Sequence, residues 1–460
     1  MPEQSLWAPQ AWIAGRWEHG VLLDVDRHGL WATVRTGVAS APAHARVLPG
    51  PVLPGLVNAH SHAFQRAFAG LSERRDSDAD DFWSWRDRMY RVAQRITPQQ
   101  MEAVAAHLYV ELLRGGYTQV CEFHYLHHGP MGQPFTDRAT MCHALAAAAG
   151  RSGIGLTVLP VLYERAGFAQ PALRADQQRF ASTPALVHQL LRDVQALGQP
   201  RVNTGVAIHS LRAASPAAIA ELLWQVGDEA VPIHIHVAEQ TQEVADCLSA
   251  TGRRPIAWLC QELAPDTRWQ LVHATHATPA EIEAVAARGA GIVICPGTEG
   301  NLGDGLTDLA GWLQAGVPMA IGSDSHVTRN WPEELRWLEY GQRLHRRQRN
   351  VAASPQQQPA TAARLWDAAL AAGGKAAGQV RWGLVQGARA DALVVDTAAP
   401  ALLGIPASHC LDALVFAGAE PAWREVIVAG EVVLRDGRHD RQDDISGRYR
   451  AVMEALWSGA

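Results

Sequence analysis

Residues 56–68 read LVNAHSHAFQRAF, with His60 and His62 separated by one serine. On a helix, side chains two positions apart point in very different directions; on a strand they share a face. If the apolar run ending in Val57 opens a strand, both imidazoles aim at one point, as ligands of one metal ion must. Further groups stand in comparable positions: His234 and His236 in VPIHIHV, His273 in WQLVHA and Asp324 in IGSD. Any one histidine after an apolar run is ordinarily a hydrogen-bonded core residue. Several at the ends of successive runs, joined by an aspartate, are much harder to explain as packing. Three imidazoles and a carboxylate, with no cysteine, suit one divalent ion, zinc or ferrous iron, with a position left for water. His234 and His236 share a strand face, and His236 is nearer the strand end, with Glu239 three residues on. His236 is therefore the expected ligand and His234 a core or supporting residue.

These groups need elements that carry them to one rim. Between residues 51 and 374 short apolar runs alternate with alanine-rich amphipathic stretches. The runs are PVLPGLVNA, YTQVCEF, IGLTVLPV, NTGVAIH, VPIHIHV, WQLVHA, GIVICP and VPMAIGSD. Stretches such as PQQMEAVAAHLYVELLRGG and TPAEIEAVAARG have helical period and end in glycine. Eight βα units predict an α/β fold, a (β/α)8 barrel, whose active sites lie at the C-terminal ends of the strands. A doubly wound sheet is the alternative, but no G-x-G-x-x-G supports it. Residues 1–50 and 375–460 carry alternating segments such as AWIAGRWEHGVLLDV and AWREVIVAGEVVLRDG, which predict a small β-sandwich built from both termini.

Composition limits the function. The 460 residues are 48% hydrophobic, enough for a large core, and the formal net charge of −6 argues against non-specific nucleic-acid binding. No apolar run is long enough to span a bilayer, and MPEQSLWAPQ has no secretory pattern. The cysteines are scattered without a C-x-x-C, which fits a reducing cytoplasm better than a disulfide framework. Cys295, after the seventh run, reads as a small buried hydrophobe. His124, His127 and His128 read as loop residues near the pocket, and Glu122 as a strand-end or supporting acid.

Taken in order, H-x-H (His60, His62), H-x-x-E (His236, Glu239), the histidine of run six (His273) and GSD (Asp324) resemble the amidohydrolase superfamily. The resemblance covers nearly the whole chain, terminal β-sandwich included. Binuclear members bridge two metals with a carboxylated lysine on strand four. NTGVAIHS has none, and the chain's single lysine, Lys375, lies beyond the barrel. The resemblance therefore implies a mononuclear centre of the deaminase type, one divalent ion (Zn2+, with Fe2+ the alternative) on His60, His62, His236 and Asp324. It also implies Asp324 as acceptor of the water's proton, Glu239 as general acid and His273 as the group that orients the water or polarises the attacked carbon. The H-x-E and P-C-x-x-C signature of the separate zinc nucleobase deaminases is absent.

Substrate choice rests on other residues. Gln65 follows the H-x-H at the start of a loop of about thirty residues running through DFWSWRDRMY, and loops of that length in compact domains are usually functional. That loop offers Arg86; EFHY offers Tyr125; IHSLR offers His209 and Arg212. Two arginines and a tyrosine near a metal predict a carboxylate-bearing substrate, since guanidinium binds carboxylate bidentately. For Arg86 an ion pair with Asp87 or Asp81 is an equal alternative, and for Tyr125 packing is. Within the superfamily, HAFQRAFAG, WSWRDRMY, EFHYLHH, IHSLRA, HIHVAEQ and GSDSH look like the N-formimino-L-glutamate deiminases of bacterial histidine degradation. That resemblance implies that Gln65, Arg86, Tyr125, His209 and Arg212 hold a small anionic dicarboxylate. The expected assembly is a homodimer, with neither nucleic acid nor membrane as partner. The alternatives are a superfamily deaminase acting on a nucleobase or adenosine derivative, whose neutral substrate leaves the arginines unexplained, and a non-catalytic relative.

Overall fold

The computed structural model describes residues 3–75, 82–418 and 422–458. Eight parallel strands form the central barrel: Leu56–Ser61, Tyr117–His124, Gly155–Leu162, Val206–Ile208, Ile233–Val237, Trp269–His273, Gly291–Ile294 and Met319–Ile321. Every residue of these strands is buried. That explains why they read as continuous apolar runs rather than alternating ones. The amphipathic stretches between them are helices. Pro98–Arg114 and Pro279–Arg288 each start in a capping box, Thr97 with Gln100 and Thr278 with Glu281.

The barrel closes where its last strand meets its first, at a bridge between Ser61 and Asp324. The Asp324 amide donates to His60 O at 3.0 Å, and the His62 amide to Asp324 O at 3.2 Å. Asn58 Nδ2 donates to Ser323 Oγ at 2.7 Å and the Ser323 amide returns to Asn58 Oδ1 at 2.9 Å. Gly322 permits this approach: a Cβ there would lie 2.7 Å from His60 Cβ and 2.9 Å from His60 N and O. The seam is thus built from the same residues that carry the candidate ligands.

Both termini contribute to one further hydrogen-bonded sheet, in the order Glu431–Arg435, Trp423–Val428, Ala392–Val395, Val52–Pro54, Gln4–Ile13, Arg16–Val25 and Trp31–Arg35, with Arg46–Val47 also pairing to Gln4–Ile13. Leu6, Val21, Leu23, Trp31, Val52, Val394 and Ile427 form its own core.

Three local expectations differ from the structure. PVLPGLVNA is two strands, because the chain leaves the terminal sheet at Pro54 and enters the barrel at Leu56. The expected boundary between residues 374 and 375 falls inside the helix Thr361–Ala376, whose end packs under the barrel; Ala376 O accepts from His234 Nε2 at 2.8 Å. The C-terminal part is not all strand, since Cys410–Phe416 and Gln442–Trp457 are helices. In the latter, Ile445, Tyr449, Val452, Met453 and Leu456 recur at helical spacing on the sheltered face.

Candidate metal centre and active site

His60, His62, His236 and Asp324 converge at the C-terminal mouth of the barrel. His60 Nε2 lies 3.2 Å from His62 Nε2 and 3.0 Å from His236 Nε2. Asp324 Oδ1 lies 3.5 Å from His60 Nε2 and 3.3 Å from His62 Nε2. The donors fall into two overlapping groups, His60 with His62 and Asp324, and His60 with His236 and His273, each with ligand atoms within 4.8 Å of one another and sharing His60; the first has edges near the roughly 3.3 Å of a zinc tetrahedron. Outer partners fix two of the rings. His62 Nδ1 donates to Phe123 O and His236 Nδ1 to His209 O, both at 2.9 Å, which turns each Nε2 lone pair inward. Burial lowers the imidazole pKa values of His60, to about 3, and of His62 and His236, so these rings are neutral, the form that binds metal. The Asp324 carboxyl, although burial opposes ionisation, is held below its ordinary range by His60, His62 and His273. The donor chemistry and the spacing both fit a divalent cation.

His273 stands beside this quartet. Its Nε2 is 3.8 Å from both Glu239 Oε1 and Asp324 Oδ2, and its Nδ1 is 3.2 Å from Glu299 Oε1. Burial lowers its pKa, but Glu239, Glu299 and Asp324 outweigh that and raise it to about 10. Burial raises Glu239 to about 7, against the pull of His273 and Arg212. The mouth therefore holds a carboxyl that keeps its proton near neutrality next to one that does not, which is how a single site can supply both an acid and a base. His273 (φ 69°) and Asp324 (φ 46°) both have left-handed backbone, a conformation that costs non-glycine residues of order 1 kcal/mol and clusters at functional sites.

The quartet opens into a cavity of about 560 Å³, mouth included. All five expected substrate residues, Gln65, Arg86, Tyr125, His209 and Arg212, line it together with Glu239 and His273. Gln65 Nε2 donates to Tyr125 Oη at 3.0 Å, while Gln65 Oε1 is buried with no hydrogen-bond partner among the described residues. A buried amide oxygen without a partner is uncommon and marks this position as one that calls for an explanation. The expected loop over the site contains the helix Phe82–Ala93, which brings Arg86 over the Tyr90 ring at 5.7 Å. Of the two carboxylates considered as partners for Arg86, Asp87 pairs with Arg174 at 3.2 Å and Asp81 lies outside the described residues. Arg212 is 8% exposed, and its carbonyl accepts from Arg165 Nε at 3.1 Å.

Other candidates are structural. His234 is the core residue expected. His127 Nε2 and His128 Nε2 bond the carbonyls of Val161 and Ala181 at 2.8 Å each, so these two tie loops, whereas His124, expected in a loop, is the buried last residue of the second barrel strand. Glu122 accepts from Ser61 Oγ at 2.7 Å and from the Ala63 amide at 2.5 Å, latching the segment that follows the first strand. Cys295 is buried; it stands within ligand reach of His273 and Glu299, and its amide donates to Glu299 Oε1 at 2.9 Å.

The sequence reading missed Glu299, Tyr163 and the pair Gln240–Asp304, which are hydrogen-bonded next to Glu239. Tyr163 was visible in principle, because it follows LPVL at the register that Tyr125 holds after its own strand. Glu299 carries no such signal, as it sits one turn into the short helix Pro296–Leu302.

A (β/α)8 barrel with three histidines and an aspartate converging at its C-terminal mouth, beside a second acid, defines a class: metal-dependent hydrolases. Residues 52–433 match the model of the amidohydrolase family, and the chain belongs to that family. It is 45% identical to formimidoylglutamate deiminase of Pseudomonas aeruginosa strain PAO1, over 98% of this chain and 99% of that one. A 5-methylthioadenosine/S-adenosylhomocysteine deaminase of Nitratidesulfovibrio vulgaris strain Miyazaki F is 30% identical over 95% of this chain and 92% of its own. A crystallised amidohydrolase from Brucella melitensis superposes with a TM-score of 0.93 at 38% identity, covering 99% of this chain and 100% of the other. An adenosine deaminase from Xanthomonas campestris with bound zinc shares the fold, with a TM-score of 0.80 at 24% identity and 99% coverage of both chains.

Proposed function

We propose that this chain hydrolyses N-formimino-L-glutamate to N-formyl-L-glutamate and ammonia, a step of histidine degradation, using one zinc ion. The observation that carries the reading is the presence of Arg86 and Arg212 in the same cavity as the His/Asp quartet, in a chain with a full-length formimidoylglutamate deiminase relative. Guanidinium groups bind carboxylates bidentately, which suits a dicarboxylate better than a neutral nucleobase.

His60, His62, His236 and Asp324 would hold the ion, which when bound lowers the pKa of a coordinated water to about 7. The remaining steps fall to the chain's own groups. Arg212 and Arg86 bind the carboxylates and so fix where the formimino carbon lies. Gln65 Oε1 accepts an N–H of the substrate, with Tyr125 holding the amide in register. Asp324 Oδ2 accepts the proton that the attacking water loses, and His273, oriented by Glu299, supports the developing charge at the attacked carbon. Glu239, kept protonated near neutrality by burial, gives its proton to the imino nitrogen as the water adds; the tetrahedral hydroxyl then returns a proton to Glu239 while the proton held by Asp324 passes to the same nitrogen, which leaves as ammonia as the C=O forms. The test is product analysis: purified zinc-loaded protein should give formylglutamate and ammonia, whereas formamide and glutamate would overturn the assignment.

A further inference from the structure

We propose that the C-terminal helix Gln442–Trp457 is a positioning clamp for Gln65, so that Tyr449 and Trp457, outside the active site, set substrate affinity. The inference rests on the reading of the cavity given above. Gln65 sits in the middle of the one-turn helix Ala63–Ala67, too short to hold its own shape against solvent. Its inner side is latched by the Glu122 carboxylate on the Ala63 amide. Its outer side is gripped by the C-terminal helix, which lies beyond the segment matched by the amidohydrolase family model.

The grip has three parts. Trp457 Nε1 donates to Ala67 O at 3.0 Å. Tyr449 Oη accepts from Arg66 Nη1 at 2.9 Å and donates to Arg66 O at 3.4 Å. Arg66 is held in turn by a two-pronged pair with Glu111, at 2.7 and 3.0 Å, on the neighbouring helix Pro98–Arg114. Tyr449 itself is stacked flat on His107 of that helix, with centroids 4.1 Å apart and planes 8° apart. Both residues immediately after Gln65 are therefore fixed by side chains of one distant helix. Gln65 lines the cavity while its Oε1 is buried with no hydrogen-bond partner among the described residues, an arrangement that costs desolvation until a partner arrives. Such an arrangement needs enforcement, and the clamp supplies it. His60 and His62 depend on the strand, Phe123 O and the barrel seam instead, so loosening the clamp should leave the metal cluster intact.

The test uses the full chain loaded with zinc and the double variant Tyr449→Phe, Trp457→Phe, which keeps the ring packing and removes the polar grips. KM for formiminoglutamate should rise about tenfold, as expected for losing three ordinary hydrogen bonds that couple to binding only in part. The value of kcat and the zinc content should stay within about twofold of the parent. In a Gln65→Ala background the same double change should have little further effect on KM, because the clamp acts through Gln65. Independently of any substrate, the amides of Phe68 and Ala69, which donate to Gln65 O at 3.0 and 3.2 Å, should exchange with deuterium faster in the double variant. Additive KM effects in the Gln65→Ala background, or unchanged exchange at Phe68 and Ala69, would overturn the clamp. A parent enzyme inactive on formiminoglutamate would overturn the substrate reading instead, and the exchange result would still decide the clamp.

Discussion

Replacing Arg212 by methionine removes a guanidinium while keeping much of its stem, and the structure allows the effect to be bounded. The residue is almost wholly buried in a cavity lined by aromatic rings and imidazoles together with Glu239 and Asp324, so its charge is poorly screened by solvent and acts on Glu239. Its backbone is held independently of its side chain, by Arg165 Nε and Nη2 on the carbonyls of Arg212 and Leu211 at 3.1 and 2.7 Å. The substitution therefore reads the side chain rather than the loop. Truncating one partner of a buried, hydrogen-bonded charge pair costs roughly 2–5 kcal/mol. At about 1.4 kcal/mol per decade, kcat/KM for formiminoglutamate should fall between roughly 30-fold and several thousand-fold. Ammonia release measured by a coupled assay gives the value. Formamidine, which has the same reacting carbon and no carboxylate, serves as the internal control, and its slow turnover should change little. An equal loss on both substrates would mean that Arg212 serves the chemistry or the fold, and no loss on either would remove it from the site.

Other consequences follow from the same geometry. Gly322→Ala places a methyl group 2.7 Å from His60 Cβ at the barrel seam, and should abolish stoichiometric metal retention as measured by elemental analysis. Glu299→Gln removes the carboxylate facing His273 Nδ1 and should lower kcat about 10- to 100-fold with metal content unchanged; a normal kcat would show that His273 needs no such orientation. Because burial raises the Glu239 carboxyl to about 7, its acid form is present below that pH and lost above it. The pH profile of kcat/KM should accordingly fall on its alkaline side through about 7, and Glu239→Gln should remove both that limb and most of the activity.

The convergence of the candidate ligands was legible in the sequence because each member sits at the end of an apolar run, and strand geometry alone brings run ends to one rim. His60, His62, His236, His273 and Asp324 all arrive there. The mononuclear expectation rests instead on the family resemblance, read together with the absence of lysine from the fourth strand. What sequence could not supply were contacts made across the fold. Glu299 reaches His273 from a helix that begins after a different strand, and the residue spacing of that meeting carries no periodicity. The helix Phe82–Ala93 reads as a loop because its aromatic and arginine side chains face a cavity and a polar surface rather than a uniform core. The C-terminal helix was hidden for a related reason, since it follows strands whose alternation invites continuation, and its buried stripe includes polar atoms of Tyr449 and Trp457 that matter only against Arg66 and Ala67.

The central claim is that a metal quartet and a cationic pocket together remove ammonia from a formimino dicarboxylate. The most direct test is the product mixture formed from formiminoglutamate by zinc-loaded protein, resolved by proton NMR alongside an ammonia assay. Equimolar formylglutamate and ammonia are predicted; glutamate with formamide, or turnover of a nucleobase in preference to formiminoglutamate, would contradict the account.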